Sequence, residues 1–266
     1  MTVIENVRAY YNGNVQREWE RLDRHPFEFA VTKHYLDRYI RPGDAVLDIG
    51  GGPGRYSIEL AERGCGVTLL DLSDENVAYA GNKAAERGLP LRAVQGDART
   101  ADRLITGLFD HVLLMGPMYH LLEEAERAEA VHAALKLLKP GGLLFVSFIS
   151  LNAGIIYFLG RDPQGVLDER EQAYLDCYLK NETYSGASFT EACFIAPREI
   201  RPFMERFGLN TCHLFGQESI TIPGEQNILA CGRAVADRWT ALAIAVCERE
   251  EFLSQAAHLM YIGRRL

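Results

Sequence analysis

Between Val46 and Tyr56 the chain reads Val-Leu-Asp-Ile-Gly-Gly-Gly-Pro-Gly-Arg-Tyr, with glycines at alternate positions after Asp48: Gly50, Gly52 and Gly54. Glycine admits positive φ and lets a ligand approach the main chain closely. A helix starting behind such a turn offers unpaired N–H groups and partial positive charge, which suit an anion. Pro53 is expected in its first turn, where a missing N–H costs little. Asp71 follows about 20 residues on, where nucleotide-binding sheets place the acid that accepts from ribose hydroxyls. A third acid, Asp97, stands in Gln95-Gly96-Asp97-Ala98. Taken singly, Asp71 or Asp97 also admits the reading of a helix N-cap. Three such features in order point instead to a nucleoside-bearing cofactor. The dinucleotide pattern G-x-G-x-x-G fails, because its third glycine position, counted from Gly50, holds Arg55.

These groups need a sheet to align them. From Asp44 to about Ser150 short apolar runs alternate with helical patterns, the rhythm of βαβ units. Strands are expected at Ala45–Ile49, Gly66–Asp71, Leu91–Gln95, Phe109–Met115 and Leu143–Ile149, and helices at Gly54–Arg63, Asp74–Arg87 and Glu123–Leu138. The last helix stops at Lys139-Pro140-Gly141-Gly142. Upstream, Pro26 opens an amphipathic helix through Phe27, Ala30, Val31, His34 and Tyr35, preceded by a shorter one broken near Asn12-Gly13-Asn14. Downstream, residues 151–196 read as irregular and aromatic, with Phe158, Tyr174, Tyr178, Tyr184, Phe189 and Phe194. Then come a helix at Pro197–Phe207, strands at Asn210–Gly216 and Gln226–Gly232, and a final helix striped by Trp239, Leu242, Ala243, Val246 and Leu253. The division expected is N-terminal cap helices over 1–42, a βαβ core over 43–150, a cap insertion over 151–196, and the rest of the core over 197–266.

The pattern D-x-G-x-G-x-G resembles the first motif of class I S-adenosylmethionine (SAM)-dependent methyltransferases. The resemblance continues in Gly116-Pro117-Met118-Tyr119-His120-Leu121, in Lys139-Pro140-Gly141-Gly142, and in Phe189-Thr190-Glu191 followed by Pro197-Arg198-Glu199-Ile200, and so spans roughly residues 20–232. It implies a Rossmann-like seven-stranded sheet with helices on both faces, a cap insertion, and an antiparallel last strand. It implies SAM as cofactor, held by Asp48, Gly50, Gly52, Gly54, Asp71, Leu72, Asp97, Ala98 and Met115, with Asp97 accepting from the adenine amino group. Tyr10, Tyr11, Trp19 and Glu28 are candidates for closing over SAM, Tyr11 and Glu28 being preferred. SAM is already an activated methyl donor, so the protein must align a nucleophile, exclude water and, for some acceptors, remove a proton. His120 is the side chain chosen for that, since its intrinsic pKa is near neutrality, and Tyr119 is placed to orient the substrate or to face the sulfonium. The plainer reading of His120 is a ring that holds a backbone carbonyl.

Composition narrows the acceptor. A net charge of -8 argues against a nucleic-acid partner, and the [DN]-P-P-[YF] pattern of amino-group methyltransferases is missing. Arg264-Arg265 reads as a frayed end. Cys65, Cys177, Cys193, Cys212, Cys231 and Cys247 form no CxxC pair and read as buried, reduced thiols. No metal site is expected, and His25, His34, His132, His213 and His258 read as structural or solvated. No apolar run reaches the roughly 18–20 residues of a membrane span, and the N-terminus lacks a secretory pattern. A cytoplasmic methyltransferase acting on a small molecule is therefore the leading expectation, its oligomeric state unreadable. A quinone-type C-methyltransferase, a nicotinamide-dependent oxidoreductase and a non-catalytic SAM-binding regulator stay open beside it.

Overall fold

The computed structural model describes residues 2–266, so Met1 of the N-terminal cap lies outside it. Among these residues nine strands join one sheet: β1 (Ala45–Ile49), β2 (Gly66–Asp71), β3 (Leu91–Gln95), β4 (Phe109–Leu114), β5 (Leu138–Ser150), β6 (Tyr184–Ala187), β7 (Glu191–Ile195), β8 (Leu209–Gly216) and β9 (His258–Arg265). Before the sheet run α1 (Val3–Asn12), α2 (Val15–Trp19), α3 (Arg21–Arg24) and α4 (Pro26–Tyr39). Within it lie α5 (Arg55–Glu62), α6 (Asp74–Glu86), α7 (Ala101–Leu104) and α8 (Glu124–Leu137). The second half adds α9 (Asn152–Gly160), α10 (Gln172–Lys180), α11 (Pro197–Glu205), α12 (Glu225–Ala230), α13 (Arg233–Val246) and α14 (Glu250–Leu253).

Strands β3, β2, β1, β4 and β5 lie side by side and parallel. Alternate residues of a strand face opposite sides, and here both sides are apolar, as a parallel sheet covered by helices requires. Leu47, Ile49, Val112, Leu114, Leu144 and Val146 pack with Ala130 and Val131 of α8 and Ile200 of α11. Val46, Leu113, Leu143 and Phe145 pack on the other face with Val31 and Leu36 of α4 and Ala243 of α13. The carboxyl ends of the parallel strands thus share one edge.

The second half departs from the expected seven strands. The run Gln226–Gly232, expected as a strand, is α12; a short stretch with Ile228 and Leu229 fits either period. The antiparallel strand is β9, inserted between β5 and β8. Arg264 and Arg265 are therefore not a frayed end. They pair with Leu143 and Leu209 across the sheet, and their guanidiniums donate to the carbonyls of Gly141, Leu135 and Leu138. The final helix also ends earlier than its stripe suggests, at Val246, with Leu253 on the separate α14.

Residues 151–196 are more regular than expected. They hold α9, α10 and the hairpin β6–β7, whose second strand runs parallel to the tip of β5 through Ile149 and Ser150. Phe158, Tyr174 and Phe194 form this unit's own core with Ile149 and Leu151. Tyr174 donates to the Leu151 carbonyl at 2.6 Å and accepts from the Ile155 N–H at 3.0 Å. Of the cysteines, Cys65, Cys193 and Cys247 are buried, but Cys231 is exposed. No helix among the described residues is long and apolar enough to cross a membrane.

Candidate active site

The glycine turn joins β1 to α5 with positive φ at Gly50, Gly52 and Gly54. Gly54 caps the helix, so Pro53 stands in the turn ahead of α5 rather than in its first turn. A Cβ on Gly50 would lie 2.3 Å from Pro117 Cδ, and one on Gly116 would lie 2.7 Å from the Gly50 carbonyl oxygen. The loops after β1 and β4 therefore pack main chain to main chain, and together they floor a cavity.

Asp71 ties that turn to the second strand. One carboxylate oxygen accepts from the Gly52 N–H at 2.8 Å, the other from the Ser73 N–H at 2.9 Å and the Asn76 amide at 3.2 Å. Burial raises its pKa, and these donors oppose the rise. Asp48 accepts from the Ser57 hydroxyl at 2.7 Å through one oxygen, while its other oxygen is buried without a protein partner. Burial pushes the Asp48 carboxyl up to about 7. Asp97 caps the turn at Ala98 and grips the Arg99 guanidinium, so the capping reading holds for it at the same time.

Asp48, Gly50, Gly52, Asp71, Leu72, Asp97, Ala98, Met115, Tyr119, His120 and Tyr11 all line the one cavity. Its other walls come from Ile4 and Val7 of α1, Arg21 and Leu22 of α3, and Tyr56 of α5. Gly54 and Glu28 stand apart from it. A Cβ on Gly54 would meet that of Ala80 at 3.0 Å, so Gly54 serves the packing of α5 on α6. Glu28 lies behind the wall, where it holds Arg21 in a two-bond ion pair of 2.6 and 2.7 Å. Burial works to raise the Glu28 pKa, but the adjacent Arg21 guanidinium together with His258 and His25 outweighs it and the net shift is downward. Trp19 lies under Arg55, whose guanidinium carbon is 4.9 Å from the indole, and Tyr10 meets Phe189 edge-on.

His120 is buried with both ring nitrogens engaged. Nδ1 lies 3.1 Å from the Glu191 carbonyl and Nε2 lies 2.6 Å from the Tyr11 hydroxyl. A carbonyl only accepts, so Nδ1 carries the proton and Tyr11 donates to Nε2. Burial pushes its pKa down to about 4. The ring holds a backbone carbonyl, as the plainer reading had it, and also fastens α1 over the cavity.

A methyltransferase-domain family model matches residues 46–142. A ubiquinone biosynthesis O-methyltransferase of Azotobacter vinelandii is 30% identical over 175 residues, covering 61% of this chain and 74% of that relative. The chain belongs to the class I SAM-dependent methyltransferases. A ubiquinone biosynthesis O-methyltransferase of Photorhabdus laumondii is 29% identical over 182 residues, 65% of each chain. The chain thus spans about two thirds of that relative's length. In fold it is similar to the magnesium protoporphyrin IX methyltransferase of Synechocystis PCC 6803 with bound S-adenosylhomocysteine (SAH), at TM-score 0.59 and 17% identity over the whole of both chains.

SAM is the family's cofactor, which sets the nicotinamide reading aside, and the polar groups along this cavity suit it. The unpartnered Asp48 oxygen and Tyr56 hydroxyl, both buried at the wall, are places for ligand polar groups. Beyond its chain neighbours, a Cβ on Gly52 would come no closer than 4.0 Å to a protein atom, the Asn76 amide nitrogen, which leaves room beside the turn.

Sequence reasoning missed Arg21 and a group behind it. Glu28, Glu218 and His258 each bring one oxygen or nitrogen within 4.8 Å of the others. Their separation in the chain gave no spacing to read. Glu218, between Gln217 and Ser219, carried no sequence signal.

Proposed function

We propose that this chain transfers the methyl group of SAM to a hydroxyl oxygen of a small phenolic molecule. The observation that carries the reading is the convergence of three strand ends, bearing Asp48, Asp71 and Asp97, on one cavity walled otherwise by Tyr119, Met115 and the apolar side of α1. The choice of oxygen is supported by the two relatives described above, both O-methyltransferases by name.

In this reading Asp71 accepts from the ribose hydroxyls, and Asp97 with Ala98 borders the adenine. Asp48, the glycine turn and Arg21 surround the amino-acid end. SAM, when bound, supplies a methyl group activated by its sulfonium. The chain's own part is to orient the acceptor beside Met115 and Tyr119, to exclude water beneath α1, and to take a proton from the acceptor. His120 and Tyr11 form the wall and its fastening. The acidic net charge of -8 disfavours polyanionic acceptors.

The test is incubation with methyl-labelled SAM and a panel of catechols and monophenols. The expected outcome is an O-methylated product and an equal amount of SAH. Label recovered on nitrogen or carbon, or on no panel member while an extract yields another product, would overturn the oxygen assignment.

A further inference from the structure

Glu18 of α2 lines the cavity together with Arg21 of α3. It stands ahead of every residue that carried the resemblance in the sequence. Two side-chain bonds fix the helix that bears it. Arg55 of α5 donates to the Trp19 carbonyl at 3.1 Å, and Tyr79 of α6 donates to the Gln16 side chain at 3.1 Å. These ties fasten α2 to the helices that follow β1 and β2, the strands leading into the glycine turn and Asp71.

The charges along this wall do not balance. Glu28 neutralises Arg21 through two hydrogen bonds, and Asp23 neutralises Arg55 through two of 2.9 and 2.8 Å. Glu18 is left over. Among the described residues none donates a hydrogen bond to its carboxylate, and Arg21 Nε, at 3.8 Å, stands beyond hydrogen-bond reach. Only 19% of the side chain is accessible, so water solvates the carboxylate poorly. Burial accordingly raises the Glu18 pKa, although Arg21, Arg17 and Arg24 work to lower it. A buried carboxylate without donors costs free energy that an arriving cation relieves. Arg21 has spare capacity as well, since Glu28 takes only two of its five N–H donors and no other described residue takes the rest. An unmatched acid and a guanidinium with free donors, side by side on one cavity wall, are the complement of a zwitterion.

We propose that Glu18 accepts from the ammonium at the amino-acid end of SAM while Arg21 donates to its carboxylate. This rests on the reading that places that end by the glycine turn and Arg21. The two charged groups of the ligand sit on one carbon, which suits partners three residues apart on consecutive short helices. Asp48 meets the ligand from the strand side of the cavity, at the end of β1, and Glu18 from the helix side. Glu18 thereby sets cofactor specificity: it favours nucleosides that carry an amine at this position over those that end in a plain thioether. It also ties α2 and α3 to the bound cofactor, because the ligand bridges the one carboxylate on this wall that the protein leaves without a partner.

The experiment compares three ligands by calorimetry on the full chain, wild type and Glu18→Gln. SAH carries both charged groups, its decarboxylated analogue keeps the amine alone, and 5′-methylthioadenosine has neither. Glutamine keeps the size of the side chain and removes its charge. Glu18→Gln should weaken SAH and the decarboxylated analogue by about 10- to 100-fold, the span for a hydrogen bond between charged groups. Methylthioadenosine should bind both proteins within about twofold, which also shows that the cavity of the variant is intact. A Glu18→Gln protein that keeps the wild-type preference for SAH over methylthioadenosine overturns the proposal, as does one that weakens all three ligands alike. A loss confined to SAH overturns it too, because the carboxylate of the ligand would then be the group sensed. A wild type that binds SAH no better than methylthioadenosine refutes the placement of the amino-acid end itself, and the assignment of Glu18 falls with it.

Discussion

Asp71 bridges the glycine turn and the start of α6 with three donors already on its two oxygens, which leaves a lone pair for a ribose hydroxyl on the oxygen that accepts from Gly52. Asp71→Ala should weaken SAM by about 1.5–3 kcal/mol, the range for charge-assisted hydrogen bonds. Calorimetry on a folded variant with unchanged affinity would end the ribose assignment. Asp48 makes a prediction about pH. Its folded pKa of about 7 lies above the ordinary carboxylate value, so the folded state binds the proton more tightly than the unfolded one. Its favourable contribution is complete at acid pH and fades as pH rises from about 4 to about 7. Binding runs the other way, because cationic SAM prefers the carboxylate and releases the proton. Affinity should rise with pH up to about 7, and calorimetry in buffers of different ionisation enthalpy should register proton release below that. Asp48→Asn should melt higher than wild type at pH 8 while binding SAM more weakly. A variant less stable at that pH would contradict the burial account.

At the scale of elements the cavity is roofed by α1, a helix with one buried residue, Val7. It is fastened instead by polar bonds at three places: Asn6 to Glu191 at 2.7 Å, Tyr11 to His120 at 2.6 Å, and Asn12 to Ser73 and Asp74 at 2.5 and 2.9 Å. Few apolar contacts mean a low free energy of local opening. Amides of α1 should exchange with deuterium faster than those of β1, slow on SAH binding, and speed up in His120→Ala. Uniform protection across α1 and β1 would argue against a roof that opens. This role for His120 could not be read from sequence, because its partners Tyr11 and Glu191 come from distant segments. The residues on one local unit were legible: a strand and a glycine turn fix Asp48 to Gly52 within a few positions, and strand ends expose Asp71 and Asp97. Glu28 was the opposite case. Its place in the sequence suggested the cavity, but the ion pair with Arg21 draws it behind the wall.

Across the whole molecule, the five parallel strands were readable because each is a short apolar run between turn signals. The strand that completes the sheet was not. In β9 only Leu259 to Ile262 are apolar, followed by Gly263 and two arginines, and its burial depends on neighbours more than forty residues away on either strand. It sits between β5 and β8 with seven residue pairs to each. Deletion of His258–Leu266 should therefore abolish cooperative folding rather than trim the surface, and a truncated chain with a native-like melt by circular dichroism would contradict the topology. SAM bound in the cavity at the carboxyl ends of the parallel strands should give up its methyl to a small molecule. The most direct measurement incubates the purified chain with methyl-labelled SAM and a small-molecule extract, then follows SAH and labelled products by mass spectrometry. SAH and a methylated small molecule should appear in equal amounts, both reduced roughly tenfold or more in Asp71→Ala at SAM concentrations near the wild-type Kd. Tight SAM binding with no methylated product would contradict methyl transfer and mark the chain as a silent binder.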